Sequence, residues 1–330
     1  MPSISVIVPA HNNQDTIENC LQAIRGSSCK DYELIVVDSM STDLTFDIAK
    51  KYADSIIRLK ENPGRNKART IAAGSARGDI LVGVDSDIII RQDTLSKISD
   101  YFKKNDNIDA LTGILSKEHP NKNFFSQYKN LYMNHIFGKL PDTVTFLYGS
   151  IHAIRRRVVD LYHSDLGFAE DTAIGQQLLR HGKKIAFLRD LDVVHLKKYT
   201  FLSFVKNDFI IPFHWAGLFL KYRGWRQVGK FKTGFAHAPK SQIASVLLAP
   251  FIILMLIAAI AADFPVGAVV TFSACWFLLN LDFILFLGRE MGPAFALAGA
   301  IVNFLDNIVM AVGIMCGFTV NLWRLFGKAD

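Results

Sequence analysis

The chain has 330 residues, half of them hydrophobic and 20% charged, with a formal net charge of +7. That length suits one large domain or two ordinary ones, and the apolar content excludes an intrinsically disordered chain. Four cysteines, Cys20, Cys29, Cys275 and Cys316, none in a C-x-x-C pair, exclude a disulfide scaffold and a zinc knot.

The first ten residues have no basic run and no long apolar stretch. No secretory signal is expected there, and the first part of the chain is expected in the cytoplasm. Residues 4–9, ISVIVP, read as a buried parallel strand. Asp15 then caps a helix, with Glu18 completing a capping box and Ile17, Cys20, Leu21 and Ile24 on one face. A second strand covers 33–38, and Ser41 or Thr42 starts a helix with Leu44 and Ile48 inward. A short strand at 55–59, a helix at 65–77 and a strand at 80–85 follow. This alternation predicts an α/β domain with a mostly parallel sheet covered on both faces.

Ligands bind such sheets at the carboxyl ends of the strands. Those ends carry Pro9-Ala10-His11-Asn12, Asp38-Ser39 and Asp85-Ser86-Asp87, so Asp38, Asp85 and Asp87 are expected to converge on one crevice. The glycine-rich patterns of dinucleotide oxidoreductases and P-loop phosphotransferases are missing from the chain.

Residues 196–240 hold nine Lys or Arg against one acid, Asp208, and eleven aromatics, Phe204, Phe213, Trp215, Tyr222, Trp225 and Phe231 among them. Basic and aromatic residues at this density predict amphipathic helices in a lipid headgroup layer. Nucleic-acid binding is not expected, because membrane segments follow directly. Residues 243–262 contain no charge, 266–288 contain only Asp282, and 293–323 contain only Asp306. Twenty helical residues cover a hydrocarbon core of about 30 Å. The expected organisation is a catalytic domain at 1–195, interfacial helices at 196–240 and a membrane domain of about three helices at 241–330.

VIVPAHN at 6–12, VVDSMSTDLT at 36–45, NPGRNKARTIAAGSARGD at 62–79 and VDSD at 84–87 occur in that order. YGSIHAIRRRVV at 148–159 and GFAEDTAIGQQLLRHGKKIAF at 167–187 follow. Together they resemble family-two inverting glycosyltransferases, over roughly residues 3–195. The resemblance implies the A-type glycosyltransferase fold, Rossmann-like, and a nucleotide-diphosphate sugar donor, with a UDP-sugar expected.

A leaving diphosphate gains charge as the glycosidic bond breaks, and Mg²⁺ or Mn²⁺ bound by carboxylates stabilises it. The resemblance implies Asp87 as metal ligand and Asp85 as a ligand of ribose or metal, with Ser86 between them in the donor site. His195 ends the apolar run 191–194; it resembles a histidine that joins the metal in some relatives, and an ordinary strand-end histidine reads the same way. Asp38 is implied to accept a hydrogen bond from the base. Pro9 and Asn12 line the crevice, and Arg69 is expected to reach base or diphosphate. Glu170 and Asp171 open a helix, where a carboxylate is stabilised as an anion. With a donor site upstream, Asp171 is the expected general base and Glu170 joins the sugar-nucleotide site.

No Q-x-x-R-W pattern follows the base: Gln177-x-x-Arg180 is followed by His181. Single sugar transfer therefore fits better than processive synthesis. Arg155-Arg156-Arg157 offers either a site for an acceptor phosphate or a solvated helix edge. The leading expectation is a membrane-anchored transferase acting on a hydroxyl of a lipid or lipid-linked acceptor at the inner, cytoplasmic membrane. A polyprenyl-phosphate glycosyl synthase is the second. A transporter or scaffold with a degenerate nucleotide-binding domain is the third, disfavoured by the intact acidic residues. The loop at 263–265 has no Lys or Arg while the segment before the first span is basic, which predicts a cytoplasmic catalytic domain and an external loop.

Overall fold

The structure, a computed structural model, describes residues 2–163, 169–225, 238–262 and 264–326. Gly167, Phe168, Arg226, Phe231 and Asp263 lie outside the described residues. The chain forms two compact units, Met1–Lys198 and Tyr199–Asp330.

In the first unit, β1 (Ile4–Ala10), β2 (Tyr32–Ser39), β3 (Ser55–Leu59) and β4 (Ile80–Val84) alternate with α1 (Ile17–Arg25), α2 (Thr45–Ala49) and α3 (Arg65–Ser75). β5 (Ile88–Ile89), α4 (Thr94–Lys104), β6 (Ala110–Leu115), α5 (Phe124–Gly138), β7 (Thr143–Val144) and β8 (Ile151–Arg155) follow. A 3₁₀ turn (Arg156–Leu161), α6 (Glu170–Arg180) and β9 (Ile185–His195) complete the unit. The strand order is β3-β2-β1-β4-β8-β6-β9-β5, with β7 also on β9. β3, β2, β1 and β4 are parallel. β8 enters antiparallel between β4 and β6, and β6 and β9 are parallel again. Ile4, Val6, Val8, Leu34, Val36 and Val82 are fully buried, as the largely apolar strands of a sheet covered on both faces require. The chain winds outward from β1 through β2 to β3 and returns on the other side of β1 as β4, so β1 and β4 flank the crevice where such sheets bind ligands.

Two local expectations change. The helix at Ile17 starts after Thr16 with no side-chain cap, and Glu18 accepts a 2.9 Å bond from the Tyr52 hydroxyl instead of closing a capping box. The helix expected from Ser41 or Thr42 begins only at Thr45. Ser41 Oγ accepts from the Asn12 amide at 3.0 Å and the Thr42 amide donates to Asn12 Oδ1 at 2.9 Å, so these polar groups hold the β1 end to the β2 end. Leu44 is 61% exposed and Thr45 and Ala49 face inward in its place.

The second unit contains α7 (Phe201–Lys221), α8 (Lys240–Ala261), α9 (Val266–Met291) and α10 (Pro293–Phe326). The last three are long and apolar enough to cross a membrane. α8 and α9 keep large apolar side chains outside: Leu247 is 66% exposed, Ile260 80% and Leu278 66%. An apolar surface of that extent marks a membrane or partner contact. Inside, Asn280 Nδ2 donates to Ser245 Oγ at 2.9 Å and Asn303 Nδ2 to Asn280 Oδ1 at 2.8 Å, a polar ladder joining all three helices.

α7 packs along α10 and runs in the same direction. A Cβ at Gly313 or Gly317 would run into the carbonyl oxygen of Phe209 or Phe213, and one at Gly217 would come within 3.0 Å of the Asn321 amide. The G-x-x-x-G spacing lets the two backbones approach closely. Gly317→Leu is expected to lower stability by about 1–3 kcal/mol, the usual cost of overpacking. Gly267→Leu on α9, whose Cβ would meet nothing within 4 Å, is the control. Thermal unfolding of the two variants in detergent checks this.

Candidate active site

Asp38 lies at the carboxyl end of β2 and Asp85 and Asp87 follow β4, with β1, which ends in Pro9 and Ala10, between the two strands. Asp38 lies in β2 and is fully buried, yet neither carboxylate oxygen has a hydrogen-bond partner among the described residues. Arg58 stands opposite it on β3, with Nε 3.4 Å from Asp38 Oδ2 and its guanidinium 4.2 Å over the Phe46 ring. A buried carboxylate with open lone pairs is costly unless a ligand donates to it. Pro9 is buried in β1, and Asn12 takes a left-handed backbone with φ 51°.

Asp85 follows β4. Its Oδ1 accepts a 2.5 Å bond from Arg69 Nη2 and its Oδ2 a 3.3 Å bond from Arg65 Nη1. Arg69 is only 2% exposed and also donates to the Gly149 carbonyl at 2.9 Å. Its Nη2 thus fixes Asp85 and the Gly149 carbonyl, while its buried Nε has no hydrogen-bond partner among the described residues. Arg65, one turn earlier on α3, is half-exposed and bridges Asp85 to Glu170 Oε1 at 3.4 Å. Sequence reading passes over Arg65; the i,i+4 spacing that sets both arginines on one helix face is the signal that could have found it. Ser86 is buried beside Asp85.

Asp87 and His195 are brought together by strand pairing. β5 begins at Ile88, which stands opposite His195 on β9, and the Leu196 amide donates to the Asp87 carbonyl at 2.8 Å. His195 Nε2 comes to 3.3 Å from Asp87 Oδ2. Burial would raise the Asp87 carboxyl, but the charge and hydrogen bond of His195, with Lys197 and Arg65, outweigh it and hold the group at about 2. Among the described residues no three His, Cys, Asp or Glu side chains assemble into a metal cluster. Asp85, expected as a possible third ligand, is engaged by the arginines. An Asp–His pair with open positions still fits Mg²⁺ or Mn²⁺, hard cations that take one or two protein ligands and complete their shell with phosphate oxygens and water.

Glu170 and Asp171 form the first turn of α6, after Ala169 in a left-handed backbone with φ 54°. Such a conformation is uncommon for a residue with a Cβ and clusters at functional sites. Glu170 is 3% exposed. The Thr172 amide donates to Asp171 Oδ1 at 2.6 Å, and the Leu147 amide donates to the Asp171 carbonyl at 3.2 Å. Burial, followed by the charge of Glu170, pushes the Asp171 carboxyl up to about 7. A carboxyl near neutrality can take a proton and release it at cellular pH.

Beneath this cluster, His152 on β8 lies between the Tyr148 carbonyl, 3.0 Å from Nδ1, and the Tyr162 hydroxyl, 2.5 Å from Nε2. Gly83 makes the room, since a Cβ there would be 2.5 Å from the imidazole. Burial, with the charge of Arg69, pushes His152 down to about 3 and keeps it neutral. Arg155, Arg156 and Arg157 do not present a free phosphate site. Arg155 donates to the carbonyls of Phe102, Ile108 and Asn105, Arg156 to those of Ala76 and Gly78, and Arg157 binds Asp106 and Asp109.

The family model described as Glycosyl transferase family 2 matches residues 5–162. An N-acetylglucosaminyltransferase of Bradyrhizobium sp. (strain ANU 289) is 36% identical over 109 residues, 30% of this chain and 69% of that protein. The Poly(ribitol-phosphate) beta-glucosyltransferase of Bacillus spizizenii is 26% identical over 210 residues, 59% of this chain and 32% of its own length. The chain spans between 25% and 46% of the length of four Bacillus relatives that it matches. Among solved structures, the mannosyltransferase PcManGT from Pyrobaculum calidifontis, in complex with GDP-Man and Mn²⁺, aligns with a TM-score of 0.63 at 19% identity. The alignment covers 92% of this chain and 88% of that one, a likeness of fold.

Arg69→Met would leave Asp85 buried with only the half-exposed Arg65 beside it. Removing one partner of a buried ion pair typically costs about 3–5 kcal/mol, while replacing both by apolar groups is near neutral. Denaturant unfolding should therefore show a large loss for Arg69→Met and recovery of most of it in Arg69→Met/Asp85→Leu.

Proposed function

The chain belongs to glycosyl transferase family 2, and from that premise we propose that it transfers one sugar from a nucleotide-diphosphate sugar, a UDP-sugar by preference, to a hydroxyl of a lipid or lipid-linked acceptor. The transfer is a direct displacement that inverts the anomeric carbon. The observation that carries this reading is the Arg65 bridge: one guanidinium contacts Asp85 on the donor side and Glu170 on the side where α6 begins. It sets Asp171 beside the crevice in which the donor is proposed to lie.

Each residue has a role in this reading. Asp38 accepts a hydrogen bond from the nucleobase, which supplies the donor its buried oxygens lack. Asp85, fixed by Arg69, receives the ribose. Asp87 and His195 hold Mg²⁺ or Mn²⁺, which when bound offsets the charge developing on the leaving diphosphate. Arg65 adds positive charge at the same place. Asp171 takes the acceptor proton, and its raised pKa suits that task.

The basic aromatic segment and the three apolar helices support attachment at the cytoplasmic leaflet of the inner membrane. α7 is a single helix that also packs on α10 within the same unit, so its apolar face is partly committed to that contact. In this topology the loop after α8 lies outside; a reporter fused after Pro265 should give an extracytoplasmic signal, and a cytoplasmic signal sinks it.

A panel of nucleotide sugars, assayed for donor hydrolysis and for transfer into membrane lipids, tests the substrate class. Asp171→Asn should retain donor affinity while turnover falls about 10²–10⁴-fold, the usual contribution of a general base. Turnover of the unmodified chain should fall as pH drops through about 7, because the base is then protonated. The sign for stability is opposite: a folded-state pKa above the ordinary 3.8 favours the protonated fold, and that contribution is lost as pH rises through about 7. Asp171→Asn should therefore melt higher than the unmodified chain at pH 8, with an advantage that shrinks as pH falls below about 7 and vanishes only near the ordinary carboxyl value of 3.8. Near-normal turnover of Asp171→Asn on its true acceptor would identify an acceptor already ionised, as in polyprenyl-phosphate glycosyl synthases.

A further inference from the structure

His195 sits at the end of β9, where the chain leaves the sheet, and a strand end left to itself frays. Yet the segment after it is tightly held. The loop between β6 and α5 brings His119 and Asn121 against the two residues following His195. His119 is only 4% exposed, with Nε2 3.2 Å from the Lys197 carbonyl. That contact is a hydrogen bond only if Nε2 carries the proton, since the carbonyl can only accept. Nδ1 is then a lone pair, and the Asn121 amide donates to it at 3.2 Å. Asn121 Nδ2 donates in turn to the Leu196 carbonyl at 3.0 Å.

The loop itself is braced from behind. Gln127 Nε2 donates to the carbonyls of His119 and Asn121 at 3.1 and 2.7 Å, and Asn130 Nδ2 donates to the Ser116 carbonyl at 2.8 Å. Gln127 and Asn130 are 5% and 3% exposed, on one face of α5. On the other side, the Leu196 amide donates to the Asp87 carbonyl. Hydrogen bonds thus run without a gap from α5, through His119 and Asn121, to the backbone that carries both members of the Asp87–His195 pair. Three buried polar side chains, His119, Gln127 and Asn130, and the part-buried Asn121 all aim donors at this loop or at the 196–197 backbone, which indicates a built arrangement.

We propose that His119 and Asn121 are positioning residues for a divalent cation: they fix the 196–197 backbone so that His195 faces Asp87, and thereby set the cation affinity. The inference rests on the proposed cation role of Asp87 and His195. Neither His119 nor Asn121 touches the cation; both act through His195. Partners of this kind around metal ligands typically contribute 10- to 100-fold in metal affinity.

The test uses the full chain in detergent, with Mn²⁺ titrated by electron paramagnetic resonance in the presence of UDP, and UDP binding measured separately without metal. His119→Phe keeps the ring volume and loses both hydrogen bonds; Asn121→Leu loses the amide. Each should weaken Mn²⁺ binding 10- to 100-fold with UDP affinity unchanged within threefold. His119→Gln, which returns an N–H near the Nε2 position, should recover most of the loss. In a His195→Ala background, His119→Phe should add less than twofold, because the ligand through which it acts is gone. Mn²⁺ affinity within twofold of the unmodified chain in folded His119→Phe and Asn121→Leu overturns the inference. So does an undiminished effect of His119→Phe in the His195→Ala background, or a parallel loss of UDP and Mn²⁺ affinity. An unmodified chain that binds UDP but no Mn²⁺ overturns the cation site itself, and the inference with it.

Discussion

The buried ion pair between Arg69 and Asp85 organises this fold. A charge removed from water must be paired and hydrogen-bonded or it destabilises the protein. Here one guanidinium meets that demand by bonding at once to Asp85 after β4 and to the Gly149 carbonyl before β8. It therefore ties α3 to both sides of the point where the sheet changes from parallel to antiparallel. His152 and Tyr162 continue the tie: Thr70, next to Arg69 on α3, donates to the Tyr162 carbonyl, and the Tyr162 hydroxyl meets His152. The donor-side carboxylate is set in a rigid frame before any ligand arrives, the kind of preorganisation on which electrostatic catalysis depends.

Two carboxylates near that frame, Asp87 and Asp171, are driven apart electrostatically. Asp87 has a cationic neighbour and stays ionised well below neutrality, whereas Asp171 has an anionic neighbour and little solvent and is lifted toward neutrality. Groups of one chemical type with pKa values driven apart in one site are the pattern that separates metal and charge binding from proton transfer. The charge of Arg65 acts to lower both, and its guanidinium reaches Asp85 and Glu170. Movement of this half-exposed side chain would alter the two together.

Much of the sheet was legible in the sequence because its chemistry is repetitive. The runs of Ile and Val mark strands buried on both faces, and the polar residues that end them mark the crevice. The carboxylates were legible for the same reason. What was not legible depends on partners distant in sequence. Nothing near Arg69 says that it is buried while Arg65 stays half-exposed; that follows from where Asp85, Gly149 and Glu170 arrive. The three consecutive arginines read as a phosphate site or a solvated edge, yet the carbonyls that consume two of them come from 76–78 and 102–108. Ser41 and Thr42 have the composition of a helix start, and Asn12, about thirty residues earlier, claims them first. β8 is five residues long, too short for its pattern to reveal an antiparallel insertion.

The close seam between α7 and α10 also bears on the order of biogenesis. Phe209 and Phe213 leave the ribosome roughly a hundred residues before Gly313 and Gly317, which at usual synthesis rates is an interval of about 5–20 s. Through that interval the face of α7 that will meet the glycines has no partner from its own chain. Its carbonyl ridge is shaped for a helix that has not been made, and that face stays open until synthesis reaches α10. α10 closes a contact opened by α7, so the second unit cannot complete its packing until α10 has been made.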